Sequence, residues 1–341
     1  MKYLLGIIYS MSLIFMISSK NVADFAMIDY INSVQDHWTA HNSPRFENTT
    51  FDQVKTLCGT IIDTHTVDTN LLVSDTDIYT ADIPDTYDAT TAKPECISVI
   101  GHVRDQSDCG SCWAFGTVES FNDRRCLKYS DQTIYSAEDI LSCCSGIRCG
   151  LSQGCNGGNP TAAWKWLTTT GVTSGGDFDT VQSGSSCNPY PFAPCSHHVD
   201  SELPNCPTSE YETPQCTQKC IDTKYTKSYK EDKVLAKTSY TIQGESNIMA
   251  DIFLHGSVTA AFTVYEDFTA YKSGVYKHVF GDELGGHAIS IVGYGVDEKS
   301  GLPYWKCKNS WNSIWGEQGF FKILRGSDEC GIESTVSAGL V

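Results

Sequence analysis

The sequence predicts an α+β protein made of two unlike halves, helical first and sheet-forming later. The run CWAFGTVESFNDRRCL places Ala114, Val118 and Phe121 at i, i+4 and i+7, one face of a helix that begins at or near Cys112. Toward the C-terminus, AISIVGYGV, LPYWKCKNSW and GFFKILRG are short apolar and aromatic runs broken by glycine and polar turns, the pattern of antiparallel strands. Between them, residues 175–220 are rich in Pro, Gly and Cys and read as loops held by disulfides.

The chain has 341 residues, 40% of them apolar, enough for one large buried core or two small ones. At its start Lys2 precedes an apolar run from Leu4 to Ile17 and the small residues Ser18 and Ser19. So short an apolar core, followed directly by polar chain, reads as a secretory signal over residues 1–19 and not as a membrane span. Cysteine usage agrees, because 16 cysteines in a secreted chain imply disulfides. The net charge of -17 and pI near 4.8 leave no basic stripe to neutralise phosphates, so nucleic acid is not expected as a partner. That charge suits solubility in an acidic vesicle. Residues 20–82 contain one cysteine, Cys58, and a glycosylation sequon at Asn48, and they look separable from the remainder of the chain. From Ile83 to Val341 the chain is dense in Cys, Gly and aromatic residues, with no internal repeat that would suggest a solenoid or propeller.

The two cysteines of DCGSCWAF, Cys109 and Cys112, admit several chemistries. A redox pair needs a strand leading into the motif within a βαβ unit, and no strand pattern leads into Asp108. A zinc site needs a second ligand pair at finger spacing, which Cys143, Cys144 and Cys149 do not supply. Both cysteines can also be structural. In the remaining reading Cys109 is stapled elsewhere and Cys112 is a free thiol at a helix N-terminus, where the dipole favours thiolate. A cysteine nucleophile further requires an imidazole, a group to orient it and an oxyanion donor. His287 in GGHAISIVGYG, Asn309 in KNSW and Gln106 are candidates for these roles.

At these residues the chain resembles the papain family of cysteine proteases, and within it the cathepsin B group. The resemblance covers residues 83–341 and rests on RDQ, CGSCWAF, CCSG, GCNGG, PCSHHV, YKSGVY, GGHAI, NSW and FFKILRG, in that order. It implies a papain-like two-lobed fold: a helical lobe whose central helix starts at Cys112, an antiparallel β-barrel-like lobe, and an active-site cleft between them. By the same resemblance Cys112 attacks the scissile carbonyl, His287 is the acid and base, Asn309 orients His287 with Trp311 screening their hydrogen bond, and Gln106 stabilises the oxyanion. Gly157 and Gly158 hold the substrate extended, Ala288 is a further substrate-binding position, and Cys112 and His287 form a thiolate–imidazolium pair. No metal or other cofactor is implied. The partners implied are peptide and protein substrates and the enzyme's own propeptide, on a monomer with no membrane association.

The resemblance also implies the disulfides Cys96–Cys126, Cys109–Cys155, Cys143–Cys216, Cys144–Cys149, Cys187–Cys220 and Cys195–Cys206, leaving Cys58, Cys112, Cys307 and Cys330 free. Loop 195–206 corresponds to an occluding loop whose His197 and His198 bind a substrate's C-terminal carboxylate, giving dipeptidase beside endopeptidase activity. Of the two ion pairs that hold such a loop, Asp105 with His197 remains, while Leu203 and Ile314 replace the other. The acidic residue at the floor of the second subsite is Thr335 here, and Asp108 departs from the usual small residue before CGSC. Residues 20–82, through WTAHNSPRF and LCGT, resemble the group's propeptide, which crosses the cleft near Cys58 until it is cut near Asp82–Ile83. Two alternatives from other classes are a binding protein with an inactive protease fold and an extracellular oxidoreductase using Cys109 and Cys112.

Overall fold

A computed structural model describes residues 20–22, 24–47, 49–62, 82–195 and 210–341. The expected signal segment, Asn48, His197, His198, Leu203 and Cys206 lie outside the described residues.

The first ordered elements belong to the segment that the sequence marks as separable. Helix α1 (Phe25–Val34) starts at Asp24, whose carboxylate accepts the Ala26 and Met27 N–H groups, and it buries Met27, Ile28 and Ile31. Strand β1 (Trp38–Ala40) follows. Helix α2 (Phe51–Leu57) opens on a capping box between Thr50 and Gln53 and buries Phe51, Val54 and Leu57. The helical half contributes α3 (Cys112–Tyr129), α4 (Ala137–Cys143) and α5 (Pro160–Thr169), packed around Phe115, Phe121, Trp164 and Leu167.

The sheet half is formed by β2 (Tyr87–Asp88), β3 (Tyr240–Ile242), β4 (Val258–Tyr265), β5 (Tyr271–Tyr276), β6 (Glu283–Val296), β7 (Pro303–Lys308), β8 (Phe320–Leu324) and β9 (Thr335–Ala338). Their order is β1-β5-β8-β7-β6-β4-β9-β3, with β2 beside β6. Pairing is antiparallel except between β5 and β8, and the sheet is extended at its edge by β1. That edge explains the YKSGVY motif: a Cβ on Gly274, whose φ is +98, would meet the His37 carbonyl at 2.4 Å. Glycine there lets the separable segment pair with the sheet.

Five disulfides, Cys96–Cys126, Cys109–Cys155, Cys143–Cys216, Cys144–Cys149 and Cys187–Cys220, form as the resemblance implies, and Cys195 is also disulfide-bonded. Cys58, Cys112, Cys307 and Cys330 are free. Cys307 is fully buried on β7, and burial holds its thiol protonated, as a small apolar core group.

Helix α3 departs from the single apolar face read from the sequence. It is buried almost all round, polar residues included, because it lies between the helical lobe and the sheet. Its sheet-facing contacts are therefore polar. Lys308 Nζ donates to Asp123 Oδ1 at 3.1 Å and lies 4.0 Å from Glu119, all three side chains being within 2% of complete burial. Burial pushes the Glu119 carboxyl up to about 7 against the pull of Lys308, and burial raises Asp123 in the same way. Nearby, the Ser120 and Ser290 hydroxyls meet at 2.8 Å, and Arg124 pairs with Asp251 and donates to the Tyr240 hydroxyl at 2.8 Å.

Removing the cation from this cluster leaves carboxylates buried without a counter-charge. Lys308→Met is expected to cost about 3–5 kcal/mol in denaturant unfolding, with partial recovery on adding Asp123→Asn. A loss below about 1 kcal/mol, the range of exposed pairs, would contradict the role given to Lys308.

Candidate active site

The nucleophile candidate and its partner come from opposite halves of the molecule. Cys112 is the first residue of α3 and is fully buried. His287 lies on β6 opposite Phe262 of β4, and Asn309 directly follows β7. His287 Nε2 lies 2.7 Å from Asn309 Oδ1. An amide oxygen only accepts, so Nε2 carries the hydrogen and Nδ1 is left with its lone pair. The Trp311 ring lies over the imidazole at 4.7 Å between centroids and helps to exclude water from that hydrogen bond.

Gln106 is locked on both sides of its amide. Its Oε1 accepts from the Ser310 hydroxyl at 2.8 Å, and its Nε2 donates to the Cys109 carbonyl at 2.8 Å and the Leu57 carbonyl at 3.0 Å. Its backbone is fixed as well: the N–H donates to the Ser310 carbonyl, and the carbonyl accepts from the Tyr190 hydroxyl. Ser310 and Tyr190 were missed by the sequence reading. Ser310 stood inside the KNSW motif, but nothing in its spacing tied it to Gln106.

The cleft is filled by residues 57–61. Gly158 N–H donates to the Gly59 carbonyl at 2.8 Å, Ile61 N–H to the Gly158 carbonyl at 2.9 Å, and Thr60 N–H to the Gly286 carbonyl at 2.9 Å. This short stretch thus pairs with both halves at once, running parallel to Gly158 and to Gly286. Thr60 Oγ1 lies 3.1 Å from Cys112 Sγ. The fit around Gly59 is close enough that a Cβ there would come within 2.0 Å of the Gly110 carbonyl oxygen. Upstream, Phe46 meets the Trp311 ring edge-on at 5.2 Å. Leu57, Gly59 and Thr60 lie in or beside the LCGT motif, so the sequence located the crossing but not which atoms it places on Cys112 and Gln106.

Occupation of the cleft changes the electrostatics of the pair. Burial pushes the Cys112 thiol above its ordinary value, although hydrogen bonds from Thr60 and from backbone at Ala288, Gly59 and Trp113 pull the other way. Burial likewise lowers His287 to about 4, against the hydrogen bond to Asn309 and the smaller opposing pull of the Leu57 backbone. In this covered state burial disfavours the charged form of both groups. Among the described residues no hydrogen bond joins Cys112 to His287.

The remaining sequence candidates fall in different places. Gly157 has φ +108 at the end of a short turn and leads into Gly158. Ala288 follows His287 and brings its backbone to the Cys112 sulfur. Thr335 opens β9 opposite Ala261, with a buried hydroxyl that has no hydrogen-bond partner among the described residues. Asp105, whose expected partner His197 lies outside the described residues, accepts from Ser107 N–H at 2.7 Å and from the Asn312 amide at 3.0 Å. Ile314 is exposed. No group of residues suited to holding a metal ion occurs among the described residues.

Comparison with known proteins agrees with this geometry. Residues 83–340 match the papain family cysteine protease model, and residues 25–64 match the peptidase family C1 propeptide model. The cathepsin B-like cysteine proteinase 4 of Caenorhabditis elegans is 46% identical over 92% of this chain and 91% of its own length. The cathepsin B-like cysteine proteinase 6 of the same animal is 43% identical over 92% of this chain and 82% of its own. Among solved structures, proCathepsin B S9 from Trypanosoma congolense aligns with a TM-score of 0.78 at 33% identity, covering 94% of this chain and 98% of that one. The chain belongs to the papain family of cysteine proteases, as a cathepsin B-like cysteine peptidase that carries its own propeptide.

Proposed function

We propose that the described chain is the latent form of a protease that cleaves peptide bonds through Cys112 and His287 once residues 20–82 are removed. The observation that carries this reading is the pairing of two contacts: the Leu57 carbonyl on the Gln106 amide, and the Thr60 hydroxyl on the Cys112 sulfur. One stretch of peptide thereby occupies both the oxyanion donor and the nucleophile. A substrate carbonyl takes the place of Leu57 after processing.

In the open cleft His287 takes the Cys112 thiol proton, and the resulting thiolate is stabilised by the imidazolium and by the start of α3. Sulfur attacks the carbonyl carbon, the oxygen's charge falls on the Gln106 amide and the Cys112 N–H, and the C–N bond breaks as His287 returns the proton to the leaving amine. Water, deprotonated by His287, then splits the thioester and regenerates the thiol. Asn309 holds the imidazole in the tautomer that leaves Nδ1 free to work. Gly157 and Gly158 hold the substrate backbone. His197 and His198 take a C-terminal carboxylate, which adds dipeptidase to endopeptidase activity. The route is secretory, to an acidic lysosome-like vesicle or the extracellular medium, by the apolar leader and the disulfides.

The direct test is turnover of Phe-Arg and Arg-Arg reporters by acid-processed chain. Cys112→Ser is expected to abolish both, by at least about 1,000-fold, and Asn309→Ala to lower kcat by about 10–100-fold with the fold intact. Turnover by verified, processed Cys112→Ser would overturn the assignment. Because Thr335 supplies no carboxylate, Phe-Arg is expected to be cleaved well and Arg-Arg poorly; equal kcat/KM for the two removes the apolar preference.

Two predictions concern latency. Gly59→Val places a side chain against the Gly110 carbonyl and is expected to raise the inhibition constant of the propeptide, added in trans, by about 100-fold or more; unchanged inhibition contradicts the close fit. For His287 the sign is explicit. Its value under the propeptide, about 4, lies below its ordinary 6.5, so the covered state holds fewer protons in that interval and its stability falls as pH drops through it. Propeptide affinity is therefore expected to weaken from about pH 6.5 to about pH 4 in Cys112→Ala, and to weaken less when His287→Gln is added. Parallel pH profiles would contradict this contribution.

A further inference from the structure

One buried hydroxyl touches the chain on both sides of the oxyanion site. Tyr190 is 1% exposed, and Gln106 and Ser111 are fully buried. The Tyr190 hydroxyl donates to the Gln106 carbonyl at 2.8 Å and lies 2.9 Å from the Ser111 hydroxyl. A phenol has one hydrogen to give, so Ser111 is the donor in the second bond. The Cys109 carbonyl, at 3.5 Å, is the weaker acceptor open to Ser111. Burial holds the phenol well above its ordinary pKa, so its hydrogen stays in place through neutral pH and below.

These two contacts reach the two groups that receive the oxyanion's charge in the proposed hydrolysis. Gln106 carries the side-chain donor. Ser111 supplies the carbonyl half of the peptide unit whose N–H belongs to Cys112, and because that unit is planar, fixing Ser111 aims the N–H.

The ring that carries the hydroxyl is itself braced. It packs edge-on against Phe115 of α3 at 4.8 Å and against Phe192 at 5.4 Å, and the Tyr190 N–H donates to the Gly176 carbonyl at 2.9 Å. Phe192 in turn stacks flat on Tyr211 at 4.2 Å. The segment bearing Tyr211 is tied to the turn before α3: the Tyr211 N–H donates to the Asp108 carbonyl at 3.0 Å, and Glu210 Oε1 accepts the Gly110 N–H at 3.1 Å. Phenylalanine would fill the same aromatic space, so packing does not account for the hydroxyl.

We propose that Tyr190 is a positioning residue: its hydroxyl fixes the spacing between the Gln106 amide and the Cys112 N–H by holding the chain at both from outside the cleft. The proposal rests on the proposed proteolytic function and adds to it a residue that touches neither substrate nor nucleophile. Oxyanion donors act when they are preorganised at hydrogen-bond distance from the developing charge. Looser spacing therefore weakens binding of the transition state more than binding of the substrate.

The test compares processed wild type with Tyr190→Phe, which keeps the ring and its packing, on the Phe-Arg reporter. kcat is expected to fall about 10-fold, short of the loss of about 100-fold or more for removing a donor outright, with KM changed by less than about twofold. Ser111→Ala cuts the same link from its other end. It is expected to lower kcat as well, and the double variant to be slower than Tyr190→Phe by less than about twofold. A second readout needs no turnover. In the unprocessed chain the Gln106 amide donates to the Leu57 carbonyl, and its hydrogen exchange, followed by NMR with isotope-labelled glutamine, is expected to be about 10-fold faster in Tyr190→Phe. Active wild type with unchanged kcat in Tyr190→Phe, losses that multiply in the double variant, or unchanged exchange at Gln106 overturns the proposal. Faster exchange in Tyr190→Phe together with no turnover by processed wild type sustains the hold on Gln106 and overturns the protease reading instead.

Discussion

Lys308, buried between Asp123 and Glu119, ties the helix that begins at Cys112 to the strands that carry His287 and end at Asn309. The two halves of the active site have no covalent short cut between them, being 175 residues apart in sequence, so their relation depends on this seam. A wholly apolar contact would let the helix slide over the sheet with little change in energy. Buried charges and paired hydroxyls do not, because each small displacement leaves a polar group without its partner. The cost of burying them is offset by a fixed distance between α3 and β6.

The propeptide uses the same geometry in reverse. It adds a strand to the sheet edge through β1, sets Phe46 against Trp311, and passes residues 57–61 between the halves with hydrogen bonds to Gly158 and Gly286. Inhibition on this view has two parts. On the proposed mechanism, occupation blocks the sulfur and the oxyanion donor, and the loss of water favours the neutral forms of Cys112 and His287, which would disable the chemistry as well as the access. Both parts end with removal of the same segment.

Much of this was legible in the sequence because cysteine protease chemistry needs particular side chains in particular contexts. Cys112 at a helix start, His287 at the head of a glycine-rich strand, Asn309 before Trp311 and Gln106 six residues ahead of Cys112 each carry a local signal. The disulfides and the propeptide crossing came from the resemblance and not from spacing alone. Contacts between distant segments were illegible. No pattern in the sequence joins Ser310 to Gln106, Lys308 to Asp123, or Glu210 to Gly110. The periodicity of α3 also misled in part: an amphipathic pattern reports one apolar face, and a helix enclosed by protein on every side buries polar residues whose partners the periodicity cannot name. The effect of the cover on ionisation was illegible for a related reason, since desolvation is set by what covers a group, and the cover lies more than 50 residues away.

The claim that the propeptide holds Cys112 and His287 neutral can be tested by the ultraviolet absorbance of thiolate, taken as the difference between wild type and Cys112→Ser across a pH titration. Before processing, the difference is expected to be flat through neutral pH, with Cys112 ionising only above its ordinary value of 9.0. After processing, a thiolate is expected already at acidic pH. A thiolate signal at neutral pH in the unprocessed chain would contradict the account, because the propeptide would then block the site without discharging it.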